Sequence, residues 1–361
     1  MRYKPDFEEA VKRTEAFWYQ EMIDRPLVCV TAPKKEQKPI SLNKTVPFSP
    51  ENCFQACMSE EYDDILDTYD AIAQNTFFGG EAMPQFEVTL GPDQYAGFLG
   101  ATMISKPGYI TTWTDHCVED WSQFEVKIDK SPDGYYNKVK KFIEYAAQHY
   151  ADRFLINMLD LHSNMDALSA LRGPQELCMD LYDCPEEVMR VLNEVRKTYP
   201  DIYEMAYQAG DMENRGTIGW SPIYCKGKSA VMQCDFSCMI SPELVRQFVI
   251  PALEEEAAYL DRRIYHYDGK EALSHLDDIL AIKQIECIQW VPGDGQPRSV
   301  EWMDLLKQIQ KAGKSVWIYD WTVEEIKAYY KELEPNKLAF SVAASTQDEA
   351  EELLEYLTVN C

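Results

Sequence analysis

Short apolar runs rich in β-branched residues alternate with amphipathic segments along most of the chain. This alternation predicts strands joined by helices, the pattern of α/β proteins. Eight runs have the length and composition of strands: 26–33, 84–90, 153–162, 229–237, 263–269, 285–293, 315–321 and 337–345. Eight strands with intervening helices predict a (β/α)₈ TIM barrel. An open doubly wound sheet is the structural alternative, but no GxGxxG follows an early strand to support its nucleotide-binding form.

Helix signals complete this pattern. Ser241 as N-cap and Pro242 at the first helical position begin a helix that Pro251 should kink or divide. The polar segment 1–25 predicts an N-terminal helical extension, and the wide spacing of the first three runs predicts long loops in the first half. We expect residues 1–361 to form a single domain.

Composition narrows the classes of partner. The chain has 361 residues, 46% of them hydrophobic, which is enough for a large core. Its net charge of −26 repels phosphate backbones and anionic lipids, so we expect neither nucleic acid nor a membrane as partner. The polar N-terminal segment and the absence of long apolar runs predict a cytoplasmic protein.

Eleven cysteines are then expected as thiols. The two CxxxC pairs, Cys53/Cys57 and Cys234/Cys238, are more typical of small core residues than of a metal site.

Polar residues gather where the predicted strands end, which is where barrel enzymes carry their chemistry. His266 and Asp268 are two apart, so a strand would point both to one face, and Gly269 follows them. Asp160 and His162 repeat this spacing. Other candidates at strand ends, or in the segment before the fourth strand, are Asp235, Gln289, Trp290, Tyr319 and Trp220.

Each Asp/His pair has two interpretations. A carboxylate also orients histidines in protein cores without any catalytic role. Several tryptophans around one opening would suit a flat or cyclic ligand, although core packing explains any one of them. No GxSxG, HExxH or EF-hand loop is present. A two-carboxylate glycosidase using Glu87 and Asp320 remains an alternative.

The chain resembles the uroporphyrinogen decarboxylase superfamily, which includes corrinoid-dependent methyltransferases. The resemblance covers the chain from about residue 80 and rests on a series of segments in order: "LGPDQYAGFLGA", "LINMLDLHSNMDALSALRGPQELCMDLYDCPEEVMRVL", "MQCDFSCMISPELVRQFVIPAL", "IYHYDGKEALSHLDDIL", "IQWVPGDG" and "AGKSVWIY". True uroporphyrinogen decarboxylases carry an arginine-rich segment that grips substrate carboxylates, and "RPLVCVTAPKK" lacks it here. The chain is therefore more similar to the methyltransferase branch.

The resemblance also implies a zinc site, with a departure. That branch typically holds zinc with HxC and a distant second cysteine. Here His266 takes the position of the histidine, Asp268 takes that of the first cysteine, and the last strand "LAFSVAAS" has no cysteine. Zinc also accepts carboxylate oxygen, so His266 and Asp268 remain candidate ligands, whereas thiol-methylating chemistry is disfavoured.

The resemblance implies transfer of a methyl group between a small methylated compound and a corrinoid (cobalamin) carried by a partner protein, such as O-demethylation. His266, Asp268, Asp160 and Tyr319 would then be catalytic. Substrate would be bound by His162, Asp235, Trp220, Trp290 and Gln289. The alternatives are a decarboxylase or lyase acting on a different acid, or a non-catalytic binding homologue. A homodimer is also expected from the resemblance.

Overall fold

The computed structural model describes residues 1–42, 44–106 and 111–361. Its strands are β1 Leu27–Pro33, β2 Thr76–Gly80, β3 Gln85–Phe86, β4 Thr102–Ile104, β5 Trp113–Asp115, β6 Leu155–Ile156, β7 Ser229–Met232, β8 Arg262–Asp268, β9 Cys287–Val291, β10 Ser315–Ile318 and β11 Leu338–Ala343. Each of the eight predicted runs overlaps one of these strands. The three strands that were not predicted, β2, β4 and β5, are short and pair antiparallel.

Helices occupy most of the remaining chain. The α-helices are α1 Phe7–Trp18, α2 Pro50–Ser59, α3 Asp63–Asn75, α4 Gln94–Phe98, α5 Tyr135–His149, α6 Met165–Arg172, α7 Pro174–Asp183, α8 Pro185–Ala209, α9 Met212–Arg215, α10 Pro242–Leu244, α11 Ile250–Tyr259, α12 Leu276–Ala281, α13 Met303–Lys311, α14 Val323–Tyr329 and α15 Gln347–Asn360. Short 3₁₀ turns cover Trp121–Gln123, Asp235–Met239, Lys270–His275, Ser299–Trp302, Tyr330–Glu332 and Pro335–Lys337. No helix in the described parts of the chain is both long and apolar enough to cross a membrane.

The helix predicted to start at Ser241 shows how a proline shapes an element. The side chain of Ser241 accepts a hydrogen bond from the backbone N–H of Leu244, as an N-cap should. The helix then widens into a π-helical turn over Val245–Val249 before α11 begins. Pro251, in the first turn of α11, has no N–H to donate. The π turn therefore lies where a proline leaves a preceding carbonyl unpaired, and it divides the helix as predicted.

A central, mostly parallel sheet organises the α/β architecture. Its seven strands follow the order β2-β1-β11-β10-β9-β8-β7, and only β2 runs antiparallel to its neighbour. β3 and β6 form a separate parallel pair. Among the described residues, no ladder joins that pair to the seven-stranded sheet. The arrangement is consistent with a TIM-barrel-like order, while the ladders themselves leave the sheet open.

The two faces of the sheet differ in what they carry. One face bears large apolar residues such as Tyr265, Tyr267 and Trp290, which pack in the main core. On the opposite face, a small apolar cluster that includes Ile264 and Cys287 lies towards the amino ends of the strands. Side chains alternate along a strand, so His266 lies on this second face, two residues beyond Ile264. The second face therefore changes from apolar to polar towards the carboxyl ends of the strands.

Candidate active site at the carboxyl ends of the strands

His266 on β8 is held by its neighbour on β9. Its Nδ1 lies 2.6 Å from Oε1 of Gln289, the residue paired with it in the sheet register. Because Oε1 can only accept, Nδ1 carries the proton, and in the neutral ring Nε2 is the nitrogen with the lone pair. Gln289 is buried, so this orientation is protected from water. The strand pairing therefore presents one nitrogen of His266 for a metal ion or a proton.

Asp268 and Asp235 complete a group around that histidine. One ligand atom from each of Asp235, His266 and Asp268 lies within 4.8 Å of the other two. Oδ1 of Asp268 is buried and has no hydrogen-bond partner among the described residues. Gly269, which follows, has a φ of +82°, a conformation that favours glycine at the turn out of β8. One imidazole and two carboxylates with open atoms fit a divalent ion such as zinc.

His162 belongs to a second, adjacent group. Its Nε2 lies 3.1 Å from Asp160 and its Nδ1 3.3 Å from Asp166. Asp166 also accepts backbone N–H bonds from Asp235 and Phe236, at 3.0 and 2.8 Å. One ligand atom each from His162, Asp166 and Asp235 lies within 4.8 Å of the others as well. Asp235 is thus shared between the two groups.

The surroundings of His162 affect its charge. Burial opposes charging of His162, but the carboxylates of Asp160 and Asp166 raise its pKa well above the ordinary value. Burial likewise opposes ionisation of Asp166, yet His162 and the two backbone donors lower its pKa. Two carboxylates therefore favour the charged form of His162, which has no lone pair for a metal, so the group around His266 is the better candidate for a metal site.

Two carboxyl groups at the site have raised pKa values. Asp235 is exposed overall, but protein atoms surround its carboxyl group. Desolvation of this carboxyl group and the charge of Asp166 raise its pKa to about 6, whereas His162 and His266 act to lower it. Glu87, just beyond β3, is partly buried, and burial together with Asp160 raises its pKa to about 7. Glu87 can therefore hold a proton near neutral pH.

A cavity of about 500 Å³ opens beside this cluster. Trp220 forms part of the cavity wall and also contacts the acidic cluster, because the Nε1 of Trp220 donates to Asp160 at 3.2 Å. The ring of Trp220 also meets His266 edge-on, with centroids 5.4 Å apart. The remaining lining residues come mainly from β1, β2, β10 and β11: Cys29, Thr31, Tyr69, Phe78, Ala82, Met83, Gln85, Pro222, Trp317, Tyr319, Ser341, Val342 and Ala343.

The structure brings most of the sequence-predicted residues together. Asp160, His162, Asp235, His266, Asp268, Gln289 and Trp220 are linked by the contacts above, and Tyr319 lines the cavity. Trp290 is not among them. It is paired with Tyr267 in the register, on the face opposite His266, and its ring packs against Tyr267 and Trp302 at 5.6 and 5.2 Å. Trp290 is thus a core residue because strand alternation turns it away from the cavity.

Several residues of the site were not predicted from the sequence. Asp166 follows His162 by four residues, but it lies in the first turn of α6 rather than at a strand end. Gln233 lies one residue beyond β7 and donates to Asp160 at 2.8 Å. Trp317, on β10, also lines the cavity. Asp320, the proposed partner of Glu87 in a glycosidase, instead accepts hydrogen bonds from the backbone and hydroxyl of Ser299.

The cysteines lie apart from this chemistry. Cys53 and Cys57 are buried in the main core, and burial raises the pKa of both thiols. Cys234 is buried and Cys238 is exposed. Neither pair belongs to the metal-compatible groups found among the described residues.

Comparison with known proteins supplies a structural relative. No protein-family model matches the sequence, and no curated protein matches it. Among solved structures, a methyltransferase from Methanosarcina mazei superposes with a TM-score of 0.62 at 13% sequence identity. The match covers 96% of this chain and 97% of that one. The shared feature is the fold, and it extends over nearly the whole length of both chains.

Proposed function

We propose that this protein is a methyltransferase that moves a methyl group between a small methylated compound and a corrinoid carried by a partner protein. The observation that carries the proposal is the group Asp235–His266–Asp268, with open ligand atoms, beside a cavity of about 500 Å³. Such a cavity has room for a small organic molecule. The fold shared with a methyltransferase supports the same assignment. Within this proposal the parallel strands form a (β/α)₈ barrel whose mouth carries the site.

The residues present fit a metal. Nε2 of His266, Oδ1 of Asp268 and the carboxylate of Asp235 would hold zinc, leaving a fourth position for substrate. The ion would supply a Lewis acid for the oxygen or nitrogen that leaves the methyl group. Gln289 would keep His266 in the required tautomer.

Glu87 is the candidate proton donor within this proposal, because its carboxyl group lies close enough to Asp160 to be affected by that charge. An alkoxide or amide ion is a poor leaving group, so a methyl ether or amine needs an acid when its bond to carbon breaks. Because the pKa of Glu87 is raised to about 7, a fraction of its carboxyl groups remains protonated near neutral pH. Glu87 is two residues beyond Gln85, which lines the cavity, and an extended chain would direct both to the same face.

The same cavity argues against the decarboxylase alternative. Its described lining includes no lysine or arginine, and the carboxylates of Asp160 and Asp268 lie near it. A substrate with several carboxylates would meet like charge, and the described lining offers no ammonium or guanidinium group to bind it. The positive group nearby, His162, is already paired with two carboxylates.

The testing experiment combines metal analysis with a methyl-transfer assay. Wild-type protein loaded with zinc is mixed with cob(I)alamin and a panel of methyl ethers and methylamines, and formation of methylcobalamin is followed by absorbance. We expect turnover with some members of the panel and its loss in His266→Ala and Asp268→Asn. His149→Ala is the control, because His149 is exposed and its ring nitrogen meets the carbonyl of Tyr145 on its own helix. Absence of bound metal and of methylcobalamin across the panel would reject the proposal.

A further inference from the structure

The cavity beside His266 has a wall of aromatic rings. Trp220 and Trp317 lie 5.4 Å apart by ring centroids with their planes at 49°, and Trp317 and Tyr319 lie 6.4 Å apart at 56°. Tyr69 and Phe78 also line the cavity. The rings contact one another at tilted angles, so together they form a curved wall rather than one flat face. Such a wall fits a compact, branched head better than a planar one.

No charged side chain is found among the described lining residues of the cavity. The nearby cation Lys4, whose Nζ donates to the carbonyl of Phe78, is paired with Asp6. Two carboxylates at the neighbouring strand ends lie near the cavity. Trp220, in the lining, donates to Asp160, and the charge of Asp268 acts on Tyr319, which also lines the cavity. An anionic ligand would be repelled and a cationic one attracted, the more strongly because the surroundings are partly shielded from water.

The polar atoms left open at the site are acceptors. Oε1 of Gln85 is buried in the cavity lining without a hydrogen-bond partner among the described residues. Oδ1 of Asn157, whose amide group donates to the carbonyl of Gly219 next to Trp220, is a second such acceptor. Buried acceptors are costly when unpaired, so a ligand that satisfies them must bring hydrogen or positive charge.

We infer that the cavity binds the head of a small alkylated ammonium compound, held by the faces of Trp220, Trp317 and Tyr319. Aromatic faces attract such cations through the negative charge of their π systems. The bond from the Trp220 N–H to the carboxylate of Asp160 adds to the negative potential of this wall. This inference rests on the proposed function only in identifying the ligand with the methyl donor; binding itself does not require turnover.

A matched pair of probes tests the charge. Choline is compared with its uncharged isostere, in which a tert-butyl group replaces the trimethylammonium group. Binding is followed by calorimetry and by tryptophan fluorescence, in protein without corrinoid. We expect choline to bind about tenfold or more tightly than the isostere, as for a desolvated cation–π contact. Equal affinities, or no binding of choline or tetramethylammonium, would overturn the inference.

A matched pair of variants tests the rings. Trp317→Phe and Trp317→Leu both lose the indole hydrogen bond to Ser341, but only phenylalanine keeps an aromatic face. Choline affinity should survive in Trp317→Phe and fall about tenfold in Trp317→Leu, while isostere affinity changes equally in both. Tyr319→Leu serves as a second variant if Trp317→Leu does not fold, because Tyr319 is 42% exposed. Trp113→Leu, an exposed residue outside the cavity lining, is the control.

The outcomes separate the two proposals. Charge-dependent and ring-dependent binding without methylcobalamin formation would keep the cavity assignment and reject the methyltransferase. Methylcobalamin formation from neutral ethers alone, with choline excluded, would keep the methyltransferase and reject the cavity assignment. An isostere that binds as well as choline in every variant would show a cavity selective for shape alone.

Discussion

Oε1 of Gln289 accepts a hydrogen bond from Nδ1 of His266 at 2.6 Å, across two adjacent parallel strands. The contact fixes the ring and leaves Nε2 as the free nitrogen. Asp268, two residues along the same strand, has a buried oxygen that no group in the described parts of the chain bonds. Strand register thereby creates an oriented imidazole and an open carboxylate on one face.

Replacing Gln289 should weaken metal binding without removing a ligand. In Gln289→Met the side-chain volume is nearly kept, but Nδ1 of His266 loses its acceptor. Loss of such a partner typically lowers metal affinity about tenfold to a hundredfold. Zinc affinity is measured by competition with a chromophoric chelator.

Gln310→Met is the matched control for this experiment. Gln310 is also a buried glutamine, but it bonds backbone groups near Glu334 on the far side of α13. Unchanged zinc affinity in Gln289→Met, or an equal loss in Gln310→Met, would contradict the proposed role.

His162 should matter more for stability than His266. In His162→Leu the carboxylates of Asp160 and Asp166 lose their counter-charge in a buried setting. Breaking a buried pair by removing one partner costs about 3–5 kcal/mol of unfolding free energy. His266→Leu removes one hydrogen bond to a neutral amide and should cost clearly less. Urea unfolding of both variants gives the comparison, and an equal loss in the two would refute this division of roles.

The sequence patterns predicted the positions of the strands better than they predicted the lengths of the strands. All eight runs overlap a strand, yet β3 and β6 have only two residues each in ladders. After Ile156 the chain turns to the segment containing Ile218, whose carbonyl accepts from Met158 at 2.7 Å. Local residue types specify an extended segment, but where it leaves a ladder depends on a distant partner.

The candidate site follows the same logic. The spacing of two identified the pairs Asp160/His162 and His266/Asp268, because side-chain alternation is a local property. The separation of Trp290 from Gln289 also follows from alternation, once the register of β9 is known. The contact of His162 with Asp166 depends instead on how the loop after β6 enters α6, through the Asn164 cap. Raised pKa values, such as that of Glu87, depend on burial that one sequence does not reveal.

Glu87 should set the alkaline limb of the pH dependence of activity. Its pKa, raised to about 7, means that the protonated acid disappears as pH rises through that value. Activity on a methyl ether should therefore fall above about pH 7 in the wild type. Glu87→Gln cannot deliver a proton, so its residual rate should be lower and should lack this limb. A limb that remains at the same pH in Glu87→Gln would assign it to another group.

Glu256, on α11, should make the protein less stable as pH rises. It is buried, Ser163 donates to its Oε2 at 3.0 Å, and burial raises its pKa to about 8. In the unfolded chain the same carboxyl titrates near 4.5. Between about pH 4.5 and 8 the folded state therefore holds a proton that the unfolded state has lost, so the contribution to stability falls as pH rises through this range. Glu256→Gln keeps the neutral form at every pH, and its melting temperature should decline less than that of the wild type between pH 5 and pH 8. The exposed neighbour variant Glu254→Gln should follow the wild type. A parallel decline in Glu256→Gln would show that the buried carboxyl does not titrate in this range.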